Sequence, residues 1–435
     1  MSWPRHETTR LALVVLLALT ARLAFVGWWQ QTHVREPQQF EFPDSASYWE
    51  LGHDIAAGEP YQVGSPDRRV HRTPGYPLLL AAMFRVVGQE ASPTWARGLG
   101  AALGALTVGA VYWLARQIFG LRVAWLAAAI VALYPEAIVV SVLPLSDGPF
   151  CLWMVLQLAV WRWAAHRSDS TSYAIAVCAG AIGGMATLTR PSWLLFTPLF
   201  VALWTLASRF DHRQTRRQLA LGGTMLAALA IAMTPWWIHN YRVVGRFVPT
   251  TLWVGPSLYD GLSPTADGRS DMSFVPAFEA KLRAADAANP PIASDPPFEY
   301  RFDRLLRDAA LRWAAANPVN TLELAGTKLL RMWNIWPNEP QFRSWFVRLA
   351  VFGTYTPILL LSLYGAWRFR DRGLDVLLLI LPAVYFSLLH AVFIGSLRYR
   401  QPAMLTLAIL AAAVLISLLD RFQQRTSPPA NPAAR

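Results

Sequence analysis

Residues 11–29 read LALVVLLALTARLAFVGWW, a run with Arg22 as its one charge, and this stretch decides the fold. A helix of that length rises about 1.5 Å per residue and so nearly matches the roughly 30 Å hydrocarbon core of a bilayer. A water-facing helix would carry charge along one side, so lipid is the simpler solvent here. Trp28 and Trp29 close the run, where an amphipathic ring favours the headgroup level. The run has no small-residue cleavage site and is expected to be a retained helix, not a removed signal peptide.

The pattern repeats along the 435 residues, of which 54% are hydrophobic and 15% charged. Windows of about 20 apolar residues predict spans near 10–29, 93–117, 121–140, 147–165, 173–189, 191–208, 217–238, 345–367, 373–394 and 399–420. The expected fold is therefore an all-α polytopic membrane protein with about ten transmembrane helices. Of the 20 tryptophans, Trp236, Trp237, Trp336 and Trp345 also stand at the ends of apolar runs and are read as interface markers. The net charge of +12 is spread over short loops and forms no stripe, which argues against a nucleic-acid partner. Cys151 and Cys178 lie inside apolar runs, so no disulfide framework is expected.

Alternate loops collect the arginines: Arg5 and Arg10, Arg116 and Arg122, Arg162 and Arg167, Arg209 with Arg213, Arg216 and Arg217, Arg368 to Arg372, then Arg421 and Arg425. By the positive-inside rule that face is cytoplasmic, and the protein is expected in the cytoplasmic (inner) membrane. The run 74–88, with two prolines and Arg85, is short for a span and reads as an interfacial or re-entrant helix.

Two longer segments then face outward, 30–92 and 239–344. In the first, SASYWELGHDIAAG puts Tyr48, Leu51 and Ile55 on one face of a surface helix. In the second, FEYRFDRLLRDAALRWAAA aligns Phe298, Phe302, Leu305, Ala309 and Trp313, and TLELAGTKLLRMW leads back to the bilayer. The expected organisation is a transmembrane module over 1–238, an extracytoplasmic loop over 239–344, C-terminal spans over 345–420 and a cytoplasmic tail over 421–435.

Polar residues capable of chemistry gather at the outer helix ends: Asp44 in FPDSASYW, Asp147 in LPLSDGPF, His71 and Arg72 in HRTPGYPLLLA, Arg190 in TLTRPSW, Arg242 and Arg246 beyond PWWIHNYR, Lys328 and Arg331, and Arg398 and Arg400 in GSLRYRQP. Fixed cations at headgroup level suit an anionic phosphate leaving group, and a positioned carboxylate suits deprotonation of an attacking hydroxyl. Other readings stand beside these. Asp44 and Asp147 each sit where a helix cap would, and outer arginines can snorkel to lipid phosphates. Arg22, within a span, must pair or face a cavity. His71, His239 and His390 lack metal-ligand spacing, which leaves a divalent cation only a possibility.

The chain resembles the GT-C superfamily of membrane glycosyltransferases, in the branch of protein O-mannosyltransferases and the aminoarabinose transferase of lipid A. The resemblance runs from about 10 to 420 and is carried by Asp44 to Tyr48, GHDIAAGEPY, RTPGYPLLLAAMFRVVG, WARGLGAALGALTVGAVYWLARQIFG, ALYPEAIVVSVLPLSDGPF, GGMATLTRPSWLLFTPLF, MTPWWIHNYRVVGRFVPTT and SLRYRQPAML. It implies Asp44 as catalytic base, a functional Asp147, and lipid-phosphate binding by Arg72, Arg190 and Arg398. Tyr48, His71, Tyr76, Lys328 and Arg400 complete the expected substrate-binding set. Many of those relatives carry paired acids in the first loop, whereas Ser45 follows Asp44 here. There are also fewer predicted spans than in the longest relatives and no C-terminal soluble domain, so the acceptor does not transfer.

The function expected is inverting transfer of a sugar from a polyprenyl-phosphate donor to an acceptor hydroxyl at the extracytoplasmic face. The acceptor is a lipid, a glycan or a protein. The alternatives are a transporter or lipid flippase, which would need polar groups at the midplane and an internal repeat, and a non-catalytic membrane scaffold.

Overall fold

The computed structural model describes residues 5–34, 40–64, 68–207, 212–292, 294–337 and 344–426. Among them every regular element is helical. α1 (Arg5–Thr32) is followed by two short helices, α2 (Pro43–Ala57) and α3 (Gly75–Val87). The bundle continues with α4 (Pro93–Phe119), α5 (Leu121–Leu133), α6 (Pro135–Val142), α7 (Asp147–Ala165) and α8 (Thr171–Thr189). α9 (Phe196–Ala207) and α10 (His212–Val244) precede a second outer group: α11 (Val254–Gly261), α12 (Val275–Ala288), α13 (Phe298–Ala316) and α14 (Pro318–Met332). α15 (Trp345–Arg368), α16 (Leu374–Val392) and α17 (Gln401–Thr426) close the chain.

Local chemistry sets the breaks. Gly120, the single residue between α4 and α5, adopts φ 87°, a conformation that favours glycine, and reverses the chain there. Tyr134 is extended (φ −68°, ψ 112°) because Pro135 follows it, and α5 and α6 meet there at 59°. α17 is buried all round from Gln401 to Val414 and forms the axis of the core.

Among the described residues, seven helices are long and apolar enough to cross a membrane, or eight with the bent α5–α6 pair counted as one span. The expected count of about ten included 147–165 and 191–208. The first is α7, almost wholly enclosed by its neighbours, so its residues need not satisfy lipid. The second is a 3-10 turn followed by the short α9. The run 74–88 holds α3, a 13-residue apolar helix packed on α2. α10 continues to Val244, so the second outer segment starts later than expected. α17 runs on to Thr426; the rest of the expected tail, like Arg209, lies outside the described residues.

Two of the interface tryptophans have other duties. Trp29 is buried and its indole N–H donates to Glu41 (2.9 Å), and the Trp236 indole donates to the Thr250 carbonyl (2.6 Å). Both pin outer loops to spanning helices. The face of α13 also differs from its apolar pattern: Glu299, Phe302, Asp303, Leu306 and Ala310 point inward. Glu299 accepts from the backbone N–H groups of Arg69 (2.8 Å) and Val70 (3.1 Å), and Asp303 from that of Gly255 (2.6 Å). Unpaired backbone donors from two other segments have drawn the acids inward.

The bundle has two polar ends. At one lie Glu7, Arg116, Arg122, Arg162, Arg217, Arg372, Asp375 and Asp420, joined across short connections. At the other lie α2, α3, α11 to α14 and the outer helix ends.

Candidate active site

Asp44 stands in the first turn of α2, just after Pro43. It caps no helix, because α2 has no side-chain cap bond; instead Arg72 Nη2 donates to Asp44 Oδ1 at 2.6 Å. Arg72 is itself held in place. Its Nε donates to Ser47 Oγ (3.2 Å), its guanidinium lies 5.1 Å from the Tyr48 ring centre, and Tyr61 donates to its carbonyl (2.9 Å).

Asp147 opens α7 and is 2% exposed; no side chain caps α7, so the alternative reading of Asp147 as a helix cap is not met either. Arg190, in extended conformation between α8 and Pro191, donates to Asp147 Oδ1. Arg398 lies between the two acids, with Nη2 3.5 Å from Asp44 Oδ2 and Nε 3.6 Å from Asp147 Oδ2. It also donates to the Tyr399 hydroxyl (3.1 Å).

The result is an alternating row, Arg72, Asp44, Arg398, Asp147, Arg190, with three cations and two anions. Burial alone would raise the Asp44 carboxyl. The guanidiniums of Arg72 and Arg398 outweigh it and hold the group well below the usual carboxylate range. Tyr48 donates to Ser146 Oγ (3.2 Å), tying α2 to the residue before Asp147.

Five of the expected site residues thus join in one constellation with Tyr48 beside them, and four stand apart. His71 is buried with its ring 4.3 Å from that of Trp253; burial, then Arg72 and Arg68, push its pKa well below the ordinary histidine value and keep it neutral. Tyr76 packs edge-on behind Tyr48 at 5.2 Å, inside the α2–α3 core. Lys328 is fully buried and its ammonium donates to the carbonyls of Val392 (2.8 Å) and Ala391 (3.4 Å), closing the C-terminus of α16. Burial lowers its pKa to about 8. Arg400 is also fully buried, paired with Glu136 (2.7 Å) and 3.5 Å from the Tyr355 ring centre. Neither Lys328 nor Arg400 is presented at the rim, because each is consumed by a buried partner.

Sequence reasoning missed Tyr399, whose ring stacks on His390 at 4.0 Å and lies 5.1 and 5.0 Å from the guanidiniums of Arg190 and Arg398. Its position between Arg398 and Arg400 was the available signal. Among the described residues no three His, Cys, Asp or Glu side chains come together as a metal site. The donor set at the row does not suit a divalent cation either, since each carboxylate already faces guanidinium groups.

Residues 71–239 match the family model described as dolichyl-phosphate-mannose-protein mannosyltransferase. Among curated proteins none matches the chain. The archaeal oligosaccharyltransferase AglB from Archaeoglobus fulgidus, in complex with an inhibitory peptide and a dolichol-phosphate, is 14% identical with a TM-score of 0.58, over 98% of this chain and 53% of that one. The apo form of the Archaeoglobus fulgidus oligosaccharyltransferase is 15% identical with a TM-score of 0.60, over 96% and 51%. The chain therefore spans about half the length of the enzyme it overlays. ArnT from Cupriavidus metallidurans bound to undecaprenyl phosphate is 17% identical over 99% of this chain and 82% of that one, at a TM-score of 0.48.

Proposed function

We propose that this chain, a polytopic membrane protein whose fold overlays that of the archaeal oligosaccharyltransferase, transfers a sugar from a polyprenyl-phosphate donor to an acceptor hydroxyl. The observation that carries the reading is the row at one rim, whose one excess positive charge leaves room for an anion. The family match and the lipid-phosphate named with the oligosaccharyltransferase agree with that chemistry.

In the proposed step the acceptor oxygen attacks the anomeric carbon from the face opposite the phosphate. The carbon–oxygen bond to phosphate breaks, the leaving electron pair stays on the lipid phosphate, and the hydroxyl proton passes to Asp44. Arg398, Arg190 and Arg72 stabilise the charge that develops on the phosphate. Asp44 paired with arginine is a weak base. A phosphate that draws Arg398 and Arg72 toward itself loosens their hold on Asp44 and raises its basicity when the donor is bound. Asp147 fixes Arg190 and orients Arg398.

The rim carrying the row is assigned to the extracytoplasmic side of the inner membrane, because the short loops at the opposite rim carry Arg122, Arg167, Arg370 and Arg372. A cysteine introduced at Ala284, exposed on α12, should then react with an impermeant maleimide added outside intact cells; reaction only after lysis would reverse the orientation. Transport is the weaker reading, since the ionisable groups stand at the rim and the span cation Arg22 is fixed on carbonyls.

The direct test is Asp44→Asn in proteoliposomes with a radiolabelled polyprenyl-phosphate sugar. Donor binding should persist and transfer should stop; transfer at the unmodified rate would remove Asp44 from the base role.

A further inference from the structure

Away from the site, the break between α5 and α6 holds a buried charge whose hydrogen bonding is incomplete. Arg22, 1% exposed within α1, gives Nη1 to the carbonyls of Ala18 (3.1 Å) and Ala132 (3.2 Å) and Nη2 to that of Val131 (3.4 Å). The carbonyls of 131 and 132 belong to the last turn of α5, the negative end of that helix. Arg22 Nε has no partner among the described residues.

Opposite it stands Gln401, the first residue of α17, 3% exposed. Beside it the Tyr134 hydroxyl donates to Glu136, and Glu136 in turn takes Arg400. Gln401 Oε1 is left without a partner among the described residues.

Arg22 and Gln401 line one cavity of about 20 Å³ together with Gly104, Thr107, Ser141 and Gly148. The hydroxyls of Thr107 and Ser141 donate to the carbonyls of Leu103 (2.9 Å) and Ile138 (2.8 Å), which leaves their oxygens free to accept. One water requires about 10–15 Å³ measured this way and two to four polar partners.

We propose that this cavity is a water-binding site in which one molecule accepts from Arg22 Nε and donates to Gln401 Oε1, with its second hydrogen on Thr107 or Ser141. The chemistry selects water over an ion. A cation would lie against the guanidinium, and an anion would meet the lone pairs of Gln401 Oε1. The bridge joins α1, the broken span and the start of α17, and so braces the bend from which α6 leads to Ser146 and Asp147. It holds whatever reaction the rim carries out.

The test is a single-particle reconstruction of the full chain in nanodiscs, at a resolution that shows ordered solvent. A peak within hydrogen-bond distance of both Arg22 Nε and Gln401 Oε1 is expected. No peak there, or direct contact between the two side chains, would overturn the proposal. A thermal double-mutant cycle gives an independent reading: Arg22→Met and Gln401→Leu should together lower the melting temperature by less than the sum of their separate effects. Strict additivity would refute the bridge. Should Arg22→Met fail to assemble, Arg22→Lys keeps the charge and the reach to the carbonyls, lacks the Nε donor, and should show the same coupling with Gln401→Leu.

Discussion

The two rims of the bundle use the same residue types to different ends. Opposite the site, Glu7, Asp375 and Asp420 each have an arginine of their own: Arg162 grips Asp375 with two bonds of 2.8 and 2.9 Å, Arg116 meets Glu7 at 2.8 Å, and Arg122 takes Asp420, while Arg217 and Arg372 donate to backbone carbonyls. At the site rim three arginines share two aspartates, and the middle one, Arg398, reaches its acids only at 3.5 and 3.6 Å. A closed pair has no charge left for a ligand. An open row with a loosely held cation has both the charge and the freedom to reorganise around an anion.

The rims should differ most in catalysis. Asp44→Asn should reduce transfer by about 10²–10⁴-fold, the usual share of a general base, with melting lowered only by the lost pairing to Arg72 and Arg398 and the protein still folded at the assay temperature, measured on purified protein in lipid. A variant that lost activity only because it unfolded would erase the distinction between the rims.

Next come the buried pairs, where stability and not chemistry should move. Arg400→Met strands Glu136 and should cost about 3–5 kcal/mol, whereas Arg400→Met with Glu136→Leu should cost markedly less than the two single changes combined. Denaturant or thermal unfolding in detergent reads both. At the opposite rim, Asp375→Asn should lower stability by about 3 kcal/mol and leave the turnover of the folded fraction intact. A fall in turnover itself would show that this rim also serves the reaction.

The slightest change concerns pH. Burial raises Glu299 to about 7 from an ordinary 4.5, so the fold favours its protonated form. Its contribution to stability is full below the ordinary value and is lost as pH rises through about 7. Asp44 has the opposite sign: its pairing stabilises above the ordinary carboxylate range and is lost as pH falls through its lowered value. Glu299→Gln should therefore flatten the decline of melting temperature between pH 5 and 8, and an unchanged slope would remove Glu299 as its source.

Residue order alone settles the solvent and the class of fold. Nineteen-residue apolar runs leave lipid as the only cheap environment for their side chains, and arginine in alternate short loops orders the spans. It also puts Asp147, Arg72, Arg190 and Arg398 at helix ends on one face, because each follows or precedes an apolar run by a few residues, and sets Asp44 in the outer segment between the first two such runs.

Tertiary packing chooses which of those ends meet. Arg398 and Arg400 are two residues apart and look alike in sequence, yet a 3-10 turn over Leu397–Arg400 sends one to the rim and the other into Glu136. Likewise α13 turns two acids inward against its apolar pattern, and the Lys328 ammonium closes the C-terminus of α16. Helical periodicity records which residues share a face, but the partner of a buried charge comes from a distant part of the chain, and its direction follows from the hydrogen bonds that partner can complete.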